Sequence, residues 1–232
     1  MPDPNDGLIT PYGTTLPLAG GTMSGSIAMG ANQITGLASG VLNTDAAALH
    51  QAYRSVAERY LLGLPTFMRT NMVRHDVGSD LSALATGVMT STAIFLWAGD
   101  VVTNLTFTSG GTAAGTPTHY FFALYDTSAT PALAGQTADQ TSTAWAANTA
   151  KTLALASPYT VPATGIYYAS CMVTATTPPT LLGRAGNATA AGALVTGLKV
   201  LAQTSGSSLT ATAPSTIATP TTVSTYPYVI IT

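Results

Sequence analysis

The chain has 232 residues, of which 46% are hydrophobic and only 7% charged, with a formal net charge of -2. That balance excludes intrinsic disorder, which needs low hydrophobicity and high charge, and it supplies no cluster of Lys and Arg to displace counterions from nucleic-acid phosphates. No apolar run approaches the roughly 18 residues of a membrane-spanning helix, and Met1 to Asp6 lacks the basic start and apolar core of a secretion signal, so assembly in a cytoplasm is expected.

In chain order, residues 1–15 carry Pro2, Pro4, Gly7, Pro11 and Gly13, which disfavour regular structure and suit an extended arm. Gly20, Gly21, Gly25 and Gly30 then punctuate a run in which Met23, Ile27, Met29, Ile34 and Leu37 leave room only for short strands. Strands so brief are marginal in water and need other strands, or another chain, over their apolar face. A helix follows, with Asn43 or Thr44 as N-cap, Asp45 in its first turn, and Gly63 then Pro65 to end it. Within it Ala46, Leu49, Tyr53, Val56 and Tyr60 recur at alternating spacings of three and four, the a/d pattern of a helix seam. With about two heptads, the stripe suits either an amphipathic helix lying on its own domain or a short neck between chains. Residues 65–86 are weakly patterned and read as a linker. Half of all charges sit between Asp45 and Asp80.

Residues 87–232 read as an all-β domain, a sandwich or jelly roll. Short runs rich in β-branched and aromatic residues occur at Ile94–Trp97, Val101–Phe107, Tyr120–Tyr125, Leu153–Leu155, Ile166–Val173, Leu198–Leu201 and Tyr226–Ile231. Stretches of Gly, Pro and small polar residues separate them. Alternation in the second run places Val101, Thr103, Leu105 and Phe107 on one face, expected to point inward. Thr210–Thr225 has the composition of a loop or extended strand ahead of a closing strand.

This region offers little chemistry. A glycosidase needs two carboxylates across a sugar bond, and only Asp100, Asp126 and Asp139 are present, all in or beside predicted turns. Asp126, before Thr127-Ser128, is expected to cap a turn with its own side chain. His50, His75 and His119 are too scattered for a zinc site or a paired base, and His75 with Asp76 and Asp80 reads as a solvated connector. Cys171 lies in an apolar run and is expected to be a buried, inert thiol. No catalytic residue, metal or cofactor is therefore assigned. Among the aromatics, Trp97, Trp145, Tyr120, Tyr159 and Tyr226 could offer faces to sugar rings, with core packing the stronger expectation for most. Trp145 stands among small residues with no strand pattern, so it is expected on a loop. It is the first ligand-binding candidate, with Trp97 and Tyr159 beside it.

The run Leu16-Pro17-Leu18-Ala19-Gly20-Gly21-Thr22-Met23-Ser24-Gly25-Ser26-Ile27-Ala28-Met29-Gly30, followed by Asn32-Gln33-Ile34, Leu37 and Asp45-Ala46, resembles a module of bacteriophage tail fibres, short tail appendages and head fibres. Residues Phe95 to Val102, His119 to Asp126, Ala144-Trp145, Pro158 to Pro162 and Gly165 to Tyr168 are similar to the sandwich domains of minor tail proteins in phages of actinobacteria. The resemblance implies a homotrimer whose neck is the seam of Leu49, Tyr53, Val56 and Tyr60 in a module over residues 16–64. It implies that the arm docks on another virion protein and that the sandwich meets a host cell-surface glycan or protein. Neither nucleic acid nor membrane insertion is expected. A head fibre, decoration or minor capsid protein is the alternative implied by the same module. A polysaccharide depolymerase is a distant third, opposed by the scarcity of carboxylates.

Overall fold

The computed structural model describes residues 68–232. The arm at 1–15, the module at 16–64 and its proposed neck residues Leu49, Tyr53, Val56 and Tyr60 lie outside the described residues.

The described part is mainly β. Its strands are β1 (Arg69–Thr70), β2 (Ser79–Asp80), β3 (Met89–Leu96), β4 (Val101–Thr108), β5 (Gly115–Tyr125), β6 (Leu133–Gln136), β7 (Ala150–Thr160), β8 (Gly165–Thr177), β9 (Leu182–Ala185), β10 (Ala202–Ser205), β11 (Thr221–Thr222), β12 (Thr225–Pro227) and β13 (Val229–Ile231). A single-turn helix, α1 (Ala188–Ala191), is capped by Asn187, whose side chain accepts from the Thr189 N–H. The strands form a six-stranded sheet ordered β11-β10-β3-β8-β5-β6, a four-stranded sheet ordered β1-β13-β4-β7 and a small sheet ordered β12-β9-β2. All of their pairings are antiparallel.

The two larger sheets pack face to face as a sandwich. The six-stranded sheet contributes Ile94, Leu96, Tyr120, Phe122, Leu124, Tyr167, Ala169, Cys171 and Val173 to the interior, and the four-stranded sheet Val102, Leu105, Phe107, Leu155, Val229 and Ile231. The opposite face of the six-stranded sheet is covered too. Met89, Phe121, Ala123, Tyr125, Tyr168 and Met172 form a second, outer core with Ala213 and Ile217 of the segment after β10. Alternate residues of β8 thus enter different cores, which is why Ile166–Val173 carries apolar residues on both faces, with Ser170 a buried polar residue bonded to Ser91 at 2.7 Å. Cys171 lies within the inner core, where burial pushes its thiol pKa up and keeps it protonated.

Three expectations change. Val101 is 43% exposed and Val102 is fully buried, so Val101 does not share the inward face with Leu105 and Phe107. The register breaks between Val102 and Asn104, where Thr103 and Asn104 both donate backbone N–H groups to the Thr232 carbonyl, at 2.7 and 2.8 Å. Such a bulge shifts the side-chain phase by one residue. The Leu198–Leu201 run is no strand: Gly197 takes a left-handed φ of 85°, Leu198 N–H returns to the Val195 carbonyl, and β10 begins only at Ala202. Finally, the segment read as a linker contributes to the sheets. β1 pairs with β13, Leu81 and Leu84 are buried in the inner core, and the Asp80 carboxylate accepts the Gly111 N–H at 2.8 Å. A side chain at Gly110 would collide with that carboxylate.

Candidate functional site

Two regions of the sandwich present combinations of aromatic, apolar and polar side chains to solvent. At one end, the β3–β4 and β7–β8 turns cross between the sheets and are tied together. Gly99 N–H donates to the Val161 carbonyl, Val161 N–H to the Asp100 carbonyl, and Ala98 N–H to Thr164 Oγ1. Asp100 sits at the centre of this end, accepting two bonds from the Arg69 guanidinium at 2.9 and 3.1 Å and one from Trp97 N–H at 2.9 Å. Trp97 is half-buried, with its ring edge-on to the exposed Phe95 at 4.7 Å. Tyr159 is half-buried against the inner core, 6.3 Å from the Tyr167 ring. Burial, with the neighbouring Tyr167 and Asp126, pushes its hydroxyl pKa up to about 12.

Trp145 is elsewhere, and it is not on the surface. It is 1% exposed, its ring 5.6 Å from both Tyr120 and Phe122, and its indole N–H donates to the Thr149 carbonyl at 3.0 Å. Its backbone bridges Ala114, and Ser109 Oγ fixes the loop by donating to the Ala146 and Thr149 carbonyls. The expected loop exists, but it folds its tryptophan into the inner core. Trp145 is therefore withdrawn as a ligand contact.

The three carboxylates have separate structural partners. Asp100 holds Arg69. Asp126 accepts Ser128 N–H, Ser128 Oγ–H and Ala132 N–H, closing the β5–β6 turn as its sequence suggests. Burial raises its pKa, but these bonds and the charge of Lys199 outweigh it and hold the carboxyl below the usual value. Asp139 meets His119 Nδ1 at 2.7 Å. Among the described residues no hydroxyl or thiol bonds the His119 ring, and no three of His, Cys, Asp and Glu form a group that could hold a metal.

The second region is a cleft of about 290 Å³ over the outer core. Its floor is Tyr168 of β8 and Gln203 of β10, and its walls include Pro131, Leu198, Ile217 and Pro220. The surrounding segments are held in place by backbone bonds: Leu133 N–H donates to the Ser215 carbonyl, Ile217 N–H to the Pro131 carbonyl, and Leu201 N–H to the Ala191 carbonyl. Tyr168 donates its hydroxyl to the Val200 carbonyl at 2.9 Å, and burial raises its pKa to about 12. Lys199 reaches across the mouth to the Ser128 carbonyl. Beside the cleft, Leu194, Val195, Leu198 and Leu201 are between 48% and 66% exposed, a concentration of apolar surface of the kind that marks contact sites.

No protein-family model matches the chain, and no curated protein matches it. Site assignment rests on geometry. Trp97 and Tyr159 occupy the same end of the sandwich, whereas the cleft is built from residues that the sequence did not single out. Part of a signal was present: the glycines at 192 and 197 flank an apolar stretch too interrupted for a strand. Gln203 carried none, because its burial depends on segments distant in sequence. Among the described residues no helix is long and apolar enough to cross a membrane.

Proposed function

We propose that this chain is a non-enzymatic structural protein of a bacteriophage virion, a homotrimeric tail fibre or minor tail protein whose sandwich contacts the host surface. The observation that carries the reading is the spaced pattern from Leu16 to Ala46, with its Gly20-Gly21-Thr22-Met23 core and following Asn32, Ile34, Leu37 and Asp45. Two further features support it. The β-sandwich suits a rigid outward domain, and from residue 81 onward the only charged residues are Asp100, Asp126, Asp139, Lys151, Arg184 and Lys199. Near-zero charge favours association, which suits a component anchored in a large assembly.

In this reading residues 1–15 dock on another virion protein, residues 16–64 trimerise, and three sandwiches approach a host glycan or protein together. Three weak sites on one stalk gain a factor of about a hundred or more in avidity without new contacts.

Gold-labelled antibody against residues 87–232, applied to intact particles and viewed by electron microscopy, tests the reading. Label at the tail tip is the expected result. Label over the capsid would replace it with the head-fibre or decoration reading, since the same module resembles both kinds of appendage. Particles without label would overturn both. Sedimentation of the full chain should give a trimer mass, and Val56→Lys, placed in the middle of the seam, should lower it.

A further inference from the structure

We propose that the apolar surface around the cleft is a contact between the sandwiches of neighbouring copies of this chain, in which the Leu194–Val195 tip of one copy enters the cleft of the next. Among the described residues six large hydrophobic side chains stand exposed, and five of them, Phe95, Leu194, Val195, Leu198 and Leu201, belong to one side of the domain. The sheet register brings that side together. Ala93 N–H donates to the Leu201 carbonyl, Ala93 stands opposite Tyr168 of the cleft floor, and Phe95, two residues on, stands opposite Ile166. Leu198 is itself a wall of the cleft. A single exposed leucine needs no explanation, but a cluster of this kind marks a contact surface.

The surface carries both halves of a fit. Leu194 and Val195 are the most exposed of the five, at 61% and 66%, in a turn closed by Leu198 N–H on the Val195 carbonyl. Gly197 gives that turn its left-handed φ of 85°, and no heavy atom stands within 4 Å of where its Cβ would be. Beside this tip lies the recess of about 290 Å³, with Pro131, Ile217 and Pro220 in its walls. Charge decides the occupant. Lys199, the charged residue of the lining, is already directed to the Ser128 carbonyl and toward Asp126, so a charged partner finds no free ion to pair with. A second copy brings a surface as uncharged as this one, and the contact strands no charge. Tip and recess are different surfaces, so each copy gives its tip to one neighbour and receives that of another, the heterologous arrangement that closes as a ring. The number of copies, three, rests on the homotrimer reading. Five side chains fall short of the roughly 20–30 residues a side of a stable interface. The contact therefore forms only once a neck has raised the local concentration of sandwiches to about the millimolar range.

The test is disulfide trapping in the full chain, co-expressed as two variants, Val195→Cys in the tip and Thr130→Cys at the exposed rim of the recess. Cys171 is buried and does not compete. A disulfide needs Cα atoms within about 7 Å, so oxidation should give a covalent dimer containing one chain of each variant, and neither variant alone should give one. Leu194→Asp, added to the Val195→Cys chain, should cut the yield about tenfold, because it carries a carboxylate into an apolar recess. It should leave the melting temperature unchanged, because Leu194 is mostly exposed in its own chain. Absence of the mixed dimer would overturn the contact, and so would a dimer of the Val195→Cys variant alone, which sets tip against tip. Co-sedimentation of the full chain with phosphatidylcholine vesicles, lost in Leu194→Asp, would give the surface to a membrane and overturn the contact as well. A mixed dimer from a protein that gold label does not find on particles would overturn the virion reading and leave the contact standing. Tail-tip label and a trimer mass without the mixed dimer would do the reverse.

Discussion

The six-stranded sheet has two buried faces, and they are buried by different means. Its inner face meets another sheet, and the interior is filled by fully buried rings, with Phe107, Phe122 and Trp145 meeting at 4.9 to 5.6 Å between centroids. Its outer face is roofed by irregular chain attached through individual side chains. Tyr125 donates to the Pro214 carbonyl, Thr174 to the Leu209 carbonyl, and Gln136 both donates to the Ala211 carbonyl and accepts the Ala213 N–H, each at 2.7 Å. A sheet covered by a sheet leaves no gaps, because regular elements satisfy their own backbones and close-pack their side chains. A sheet covered by loops is buried where the loops are pinned and open between the pins. The cleft lies in such an opening.

If this contrast is real, mutations should divide along it. The largest effect is expected at Trp145→Ala, which empties the middle of the inner core and should cost about 3–5 kcal/mol in denaturant unfolding. A stable Trp145→Ala protein would break the comparison, since it would place the ring outside the closed core. Next, Arg69→Ala should cost about 1.5–3 kcal/mol by removing the charge-assisted bonds that tie β1 to the Asp100 turn. Gln136→Ala should cost about 1–2 kcal/mol, with a different signature: faster amide exchange over residues 206–220 while the inner strands keep their protection. Uniform loss of protection would show that the two cores unfold together.

A smaller effect is expected with alkali. Tyr159 and Tyr168 have hydroxyl pKa values raised from 10 to about 12, chiefly by burial. A phenol with a raised folded pKa keeps its proton in the fold after the unfolded chain has lost it. Stability is therefore full below pH 10 and falls as pH rises through about 12. Melting temperature against pH should show this decline in the wild type, and a shallower one in Tyr168→Phe. Smallest of all, Leu194→Ser on the exposed segment should change stability by less than about 0.5 kcal/mol.

The regular half of this comparison was legible in the sequence and the irregular half was not. Strand runs such as Tyr120–Tyr125 and Ile166–Val173 announce themselves because strand periodicity and β-propensity are local properties. The Asp126 turn was legible for the same reason, its partners lying only two and six residues away. Trp145 was misread because small neighbours and the absence of a pattern look alike whether a loop faces water or folds inward. Its burial is decided by Ala114 and Thr149 together with the aromatic rings beneath. The phase of β4 escaped notice because the bulge is fixed by Thr232, more than a hundred residues along the chain. Of the aromatic candidates, Trp97 and Tyr159 keep partly accessible rings at one end, whereas the cleft was invisible until β10 and the roofing segment were placed together.

One pairing sets the order in which this domain can be completed. β1 at Arg69–Thr70 lies against β13 at Val229–Ile231, and Val229 and Ile231 are fully buried in the inner core. The earliest and latest strands of the described region therefore seal the same sheet. As the chain emerges during synthesis, β4 lacks its β13 partner until residues 229–231 have appeared. Closure over so long a separation is slow, in the range of about milliseconds to seconds for topologies dominated by distant pairings. Until then the buried residues Leu105 and Phe107 of β4 lack the Val229 and Ile231 that cover them, a transient exposure of apolar surface of the kind that favours aggregation over folding.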